Sequence, residues 1–139
     1  MEQLFNYTLS SLSRHFATEL PTYTLWYEGE EEVEDVDFEI RFEGPDIIAE
    51  TGSHYIAELE LDVVVKAAAG TGYPIYTKVG AMFAAMAQAI ELENDADTYL
   101  GCFVPEKRQP TVKHYGKLDP SNNLMISVVR GRYRIEVTK

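Results

Sequence analysis

Cysteine occurs once in this 139-residue chain, tryptophan once, and no apolar run comes near the roughly 20 residues that cross a bilayer. The lone Cys102 closes no intramolecular disulfide, so packing has to supply the stability, and a reducing, intracellular compartment is expected. The opening residues MEQLFNYTLSS show no basic segment followed by a long apolar core, so neither secretion nor membrane insertion is expected. Basic residues are scarce as well, 12 Lys and Arg against 23 Asp and Glu, a net charge of -11. Phosphate backbones repel such a chain, which argues against nucleic acid as a direct partner.

What is present is ordinary globular composition, 45% hydrophobic and 25% charged, in a length that suits a single domain spanning 1–139. The charge is unevenly placed. Residues 1–69 hold three basic and sixteen acidic residues, net -13, whereas residues 70–139 hold nine and seven, net +2. This polarity suits head-to-tail association between copies; an ordinary solvated acidic face has the same signature.

Apolar spacing predicts two helices. Leu4, Phe5, Leu9, Leu12, Phe16 and Leu20 line one side of a helix over residues 2–20, ended by Pro21. From Pro74, suited to a first helical position, Ile75, Val79, Met82, Phe83, Met86 and Ile90 predict a second helix of about 18 to 20 residues, rich in alanine. Strands are predicted over 22–28, over 36–42 up to a stop at Gly44 and Pro45, over 54–66 as a long central strand, over 98–104 and over 111–118. In the last segment, Leu124, Ile126 and Val128 are apolar on even positions but Tyr133, Ile135 and Val137 on odd ones. A one-residue bulge near Gly131, in a hairpin strand, would return both groups to one face.

No catalytic constellation emerges. His15, His54 and His114 are scattered around Cys102 without metal-ligand spacing, and no GxSxG, SxxK, GxGxxG or GxxxxGK[ST] motif is present. The apolar context LGCFVP makes Cys102 a small core residue. The glycine-bearing 66–73 segment KAAAGTGY reads as a connecting loop, because Pro74 removes a donor that a phosphate would need. Neither cofactor nor metal is expected. Two features remain as candidate subunit or partner surfaces. One is the acidic run Glu30, Glu31, Glu32, Glu34 and Asp35, an exposed loop without EF-hand spacing; the other is the alternating row Arg130, Arg132 and Arg134. Arginine forks on a strand suit carboxylates of another chain, or the Glu58, Glu60 and Asp62 row of the same one.

The order of elements resembles the tail terminators of long-tailed bacteriophages: an amphipathic N-terminal helix, an early strand, an acidic loop, the alternating strand HYIAELELDVVVK, the helix PIYTKVGAMFAAMAQAIEL and a terminal segment ending RYRIEVTK. The resemblance covers most of the chain. It implies an α+β fold, an antiparallel or mixed β-sheet with two main α-helices packed on it and a C-terminal β-hairpin. It further implies a hexameric ring in the virion, assembled in the host cytoplasm, which caps the tail tube protein and presents a surface to the neck or connector protein. Acidic surfaces would face genomic DNA in the lumen without gripping it, and the arginine strand would meet a neighbouring subunit or the tube. A different head-tail connector component is the near alternative. A second class is an acidic inhibitor whose carboxylates imitate DNA phosphates; a small enzyme or ligand-binding domain is a third.

Overall fold

The computed structural model describes residues 2–32, 35–70, 74–119 and 123–139, with residues 114–119 and Glu2 described as backbone alone. It is an α+β fold in which two helices pack on a curled, mixed sheet. The elements are α1 (Glu2–Glu19), β1 (Leu25–Tyr27), β2 (Phe38–Glu50), β3 (His54–Ala68), α2 (Pro74–Met86), β4 (Ile90–Glu93), β5 (Tyr99–Pro105), β6 (Thr111–Asp119) and β7 (Leu124–Thr138). The strand order is β1-β2-β3-β7-β5-β4, with β6 also paired to β7. Among the described residues, only the β1–β2 pair is parallel.

The long alternating run forms the central strand expected of it. On β3, Ala57, Leu59, Leu61, Val63, Val65 and Ala67 are buried, and the even positions face the other way. Period-two patterning alone dictates this, because successive side chains leave a strand on opposite faces. β3 pairs antiparallel with β7 without a break from His54 opposite Thr138 to Ala68 opposite Leu124.

That continuous register excludes the expected bulge at Gly131. The core face of β7 is odd-numbered from Ser127 to Val137, and Leu124, Ile126 and Val128 lie half-buried on the opposite, outer face. The glycine serves packing: a Cβ there would lie 3.1 Å from Met86 Cε and 3.1 Å from the Tyr133 ring. The irregularity sits instead on β6, whose register against β7 shifts between Lys113 and Lys117.

β2 likewise departs from expectation, running through Gly44 and Pro45 to Glu50 with register shifts between Glu43 and Asp46 and between Ile47 and Ala49. An irregular edge strand tolerates proline because no partner needs its N–H. Gly44 has φ +94°, and a Cβ there would meet the Glu58 carbonyl oxygen at 2.7 Å, so only glycine fits.

The second helix is shorter than its periodicity suggests. α2 ends at Met86, and residues 90–92, expected to continue it, belong to β4 (Ile90–Glu93) against β5, with Ile90 and Leu92 buried. Pairing to a strand overrides the helix preference of the alanine-rich segment. The buried Tyr133 hydroxyl donates to the Met86 carbonyl at 2.6 Å, satisfying an acceptor that the helix end leaves open.

Helix α1 buries Leu4, Leu12 and Phe16 as expected, together with Thr8 and Ser11, and Leu20 just after its end is buried as well. Phe5 and Leu9, expected on the same face, are exposed at 51% and 36%. The small hydroxyl residues allow close approach: Thr8 Oγ1 donates to the Leu4 carbonyl, and Ser11 Oγ accepts the Glu93 N–H of β4. Arg14 pairs with Glu93 at 2.8 Å, while Phe5 stacks near Phe42 of β2 with ring centroids 5.1 Å apart. One helix therefore touches strands from both flanks of the curled sheet.

The substitution Tyr133→Phe is expected to lower unfolding stability by about 1–3 kcal/mol, through loss of the donor to a buried carbonyl. Urea denaturation measures it, and an unchanged midpoint would show that the Met86 carbonyl has no need of this partner.

Candidate functional site: the outer sheet face and its groove

With the core on one side of the β2-β3-β7 sheet, the other side collects charge. Arg41 lies opposite Asp62, Asp62 opposite Arg130, Glu60 opposite Arg132 and Glu58 opposite Arg134. The unbroken register places all three candidate arginines of β7 in one row, each beside a carboxylate of β3. Arg130 Nε is 3.5 Å from Asp62 Oδ1, and Arg132 Nε is 3.7 Å from Glu60 Oε1. Both arginines remain about half exposed, at 43% and 53%. Such open pairs contribute little to stability, roughly 0–1 kcal/mol each, and keep guanidinium donors free for a further acceptor.

The acidic loop occupies a different place, at the β1–β2 edge. Glu30, Glu31, Glu32 and Asp35 are exposed, and Glu34 lies outside the described residues. The loop is tied down where it leaves β1. The Glu30 N–H donates to the Tyr27 carbonyl at 3.1 Å, and the Trp26 indole N–H donates to the Glu31 carbonyl at 2.9 Å. The structure does not bring this loop and the arginine row into contact within one chain; β2 and β3 separate them.

Just behind the loop, Asp37 clamps three elements. Its Oδ2 accepts the Thr24 N–H at 2.7 Å and its Oδ1 accepts from Lys78 of α2 at 2.6 Å, while Lys78 also donates to the Lys66 carbonyl of β3. Burial by itself disfavours the Asp37 carboxylate, but the Lys78 and Thr24 hydrogen bonds and the Lys78 charge outweigh it and hold the pKa below the ordinary value.

A groove of about 770 Å³ opens where β5 parts from β7. Only Val104 and Pro105 of β5 pair with β7, opposite Arg134 and Tyr133. Gly101 then crosses so close to β7 that a Cβ would sit 2.6 Å from the Glu136 carbonyl oxygen. Tyr99, Leu100, Cys102 and Val104 supply an apolar wall, and Arg134, Glu136, Glu106, Lys107 and His54 supply the polar margin. Cys102, expected in the core, is half-buried on this wall, because Gly101 and Phe103 take the inward positions of β5. Burial and the nearby Glu91 charge push its thiol pKa up, which leaves little reactive thiolate.

At the inner margin Glu106 meets Glu58. A hydrogen bond to Glu58, burial and repulsion by the Glu58 charge raise the Glu106 pKa, with partial relief from Arg134 and Arg132. Two carboxylates in contact keep a proton more readily than either would alone.

The histidines serve local roles: His15 Nε2 contacts the Ala85 carbonyl at 2.9 Å and His54 Nδ1 contacts Ser53 Oγ at 2.7 Å, while the side chain of His114 lies outside the described residues. Among the described residues, no three His, Cys, Asp or Glu side chains cluster as metal ligands, and no helix is long and apolar enough to cross a membrane. The sequence pattern missed the groove and the exposed Ile47 and Ile48 of β2. Its signal was there in apolar residues on both parities of one short strand, Tyr99 with Leu100 and Phe103 with Val104.

No family model and no curated protein matches the chain. One solved structure, whose name says nothing of its function, aligns over 99% of this chain and 95% of its own length with a TM-score of 0.54 at 13% identity. At that identity the likeness shows the fold alone.

Replacing Glu106 by Gln is expected to raise the thermal midpoint near pH 7. A carboxyl whose folded pKa is raised destabilises the fold above that pKa, so the gain should vanish as pH falls below the ordinary carboxylate range near 4. Thermal scans of both proteins between pH 3 and 8 measure it, and a midpoint difference independent of pH would refute the shared-proton account.

Proposed function

We propose that the chain is a structural virion protein, the tail terminator of a long-tailed bacteriophage. Copies form a hexameric ring that caps the tail tube and offers its other surface to the neck or connector protein. The observation that carries this proposal is the unequal character of the sheet's two flanks. Exposed Glu30, Glu31 and Glu32 make the β1–β2 side acidic, whereas the far side is mixed: Lys107 and Arg108, exposed and without a carboxylate in salt-bridge range among the described residues, stand at the β5–β6 connection, and exposed Glu91, Asp95 and Asp97 lie on β4 and the turn after it. Unlike flanks suit a contact that repeats from copy to copy and closes into a ring.

In this role the protein works through surfaces, without bond-making chemistry or a cofactor. In this reading β6 and β7, which pair antiparallel, are the two arms of the C-terminal hairpin. Its arginine row, already balanced once by β3, takes a second set of carboxylates from a neighbouring subunit or the tube. Acidic surfaces line the lumen and let genomic DNA pass without specific binding. The ring assembles in the host cytoplasm and resides in the virion at the tail–neck junction. Another connector component at the same junction is the near alternative, separated by whether the ring binds tube protein or the head side.

Electron microscopy and native mass measurement of the purified protein, alone and with tail tube protein, test the proposal. Annular hexamers are expected, and a strict monomer under both conditions would overturn it. The anchoring of the acidic turn by Trp26 and Tyr27 favours one other function, an inhibitor that imitates DNA phosphates, because it fixes Glu30 and Glu31 in space. Glu30→Gln, Glu31→Gln and Glu32→Gln together are expected to leave ring formation mostly intact, because loss of charge complementarity at one flank slows and weakens the contact without removing its apolar part. Loss of binding to a DNA-binding partner in that variant would favour the inhibitor instead.

A further inference from the structure

The distal half of β2 is an unusual edge. β1 covers β2 only at Phe38–Ile40, so beyond Ile40 the side of β2 away from β3 has no partner strand among the described residues. This uncovered stretch carries two adjacent large apolar side chains, Ile47 at 43% and Ile48 at 49% exposure. Natural edge strands usually guard against pairing with charge, brevity or irregularity, and two open isoleucines work against that protection. Glu43 and Asp46 precede them, neither with a cation in salt-bridge range among the described residues.

The groove between β5 and β7 has the matching character. Tyr99 and Val104 are 59% and 53% exposed on its wall, and Lys107 stands at its margin without an ion-pair partner. An apolar edge flanked by free carboxylates thus has a counterpart in an apolar groove whose margin offers the Lys107 ammonium and the Arg134 guanidinium, with Glu106 and Glu136 beside them. Both lie toward the same end of the sheet, since Glu50 pairs with Tyr55 and His54 with Thr138. β3 and β7 stand between them, three strand spacings or roughly 14 Å at ~4.8 Å each. The edge of one copy cannot reach its own groove.

We infer that the β2 segment 46–50 of one copy docks in the β5–β7 groove of a second copy, with Ile47 and Ile48 against Tyr99 and Val104 and with Asp46 toward Lys107. This rests on the ring proposal and supplies its contact: each copy offers one edge and one groove, so the same joint repeats around the assembly. Burial of apolar side chains gives the joint its strength, and the opposed charges set its polarity.

Two substitutions at exposed positions test the joint without disturbing the core, Ile48→Asp in the edge and Val104→Asp in the groove, with circular dichroism to verify folding. Each is expected to weaken self-association by on the order of tenfold or more in sedimentation velocity. Mixing the two variants is expected to restore pairs and nothing larger, because the joint uses the one intact edge and the one intact groove and leaves only altered surfaces at the ends of the pair. If both variants still form the wild-type assembly, the joint is wrong and the ring proposal stands. If the wild type stays monomeric with and without tube protein, both fall.

Discussion

The uninterrupted pairing of β3 with β7 fixes nearly everything else in this molecule. Its register sets one parity as the core face along both strands, so Leu59, Leu61 and Val63 meet Tyr133, Gly131 and Val129 beneath the helices. The same register aligns the arginines of β7 with the carboxylates of β3 on the other face. A slip by one residue would drive guanidinium groups into the core and turn the aliphatic row out to water, which is why such a pairing is strongly specified. Individual cross-strand pairs contribute only about 0.2–1 kcal/mol, so length and consistency matter more than any single contact.

The outer face is the consequence of that arrangement. Sixteen of the 23 acidic residues precede residue 70, yet a part of them is balanced by cations supplied from the second half of the chain. What stays unbalanced is acid alone around the β1–β2 loop, and on the far side base at the β5–β6 connection together with acid on β4 and the turn after it. The chain's electrical asymmetry in sequence thus becomes an asymmetry in space, because the sheet order keeps early strands on one side and late strands on the other.

The parts of this fold that sequence pattern revealed are those decided by near neighbours. HYIAELELDVVVK reads as a half-buried strand because alternation is local, and the structure makes it the central one. Leu12 and Phe16 mark the buried side of α1 for the same reason, and the loop position of Glu30–Glu32 follows from mutual repulsion. The misjudged elements are those decided at long range. Ile90 fits the period of α2, and only its pairing with Phe103 makes it a strand residue. Leu124, Ile126 and Val128 imitate a core face because the outer side of β7 is itself half covered. Phe5 and Leu9 fit the helical stripe but stay exposed, Phe5 beside Phe42 of β2. The apolar residues on both parities of β5 hint at an outer apolar wall, but the opening itself belongs to the divergence of two strands, which spacing within one strand does not encode.

Gly101 makes that divergence possible. Its missing side chain lets β5 lie directly on the backbone of β7 near Glu136 before the two strands separate. Where Gly101 meets Glu136 the wall of the groove is main chain held by the sheet, so that part of its shape does not depend on rotamers that an incoming surface would have to freeze. A cleft already set in this way spares an arriving molecule much of the entropic penalty of association.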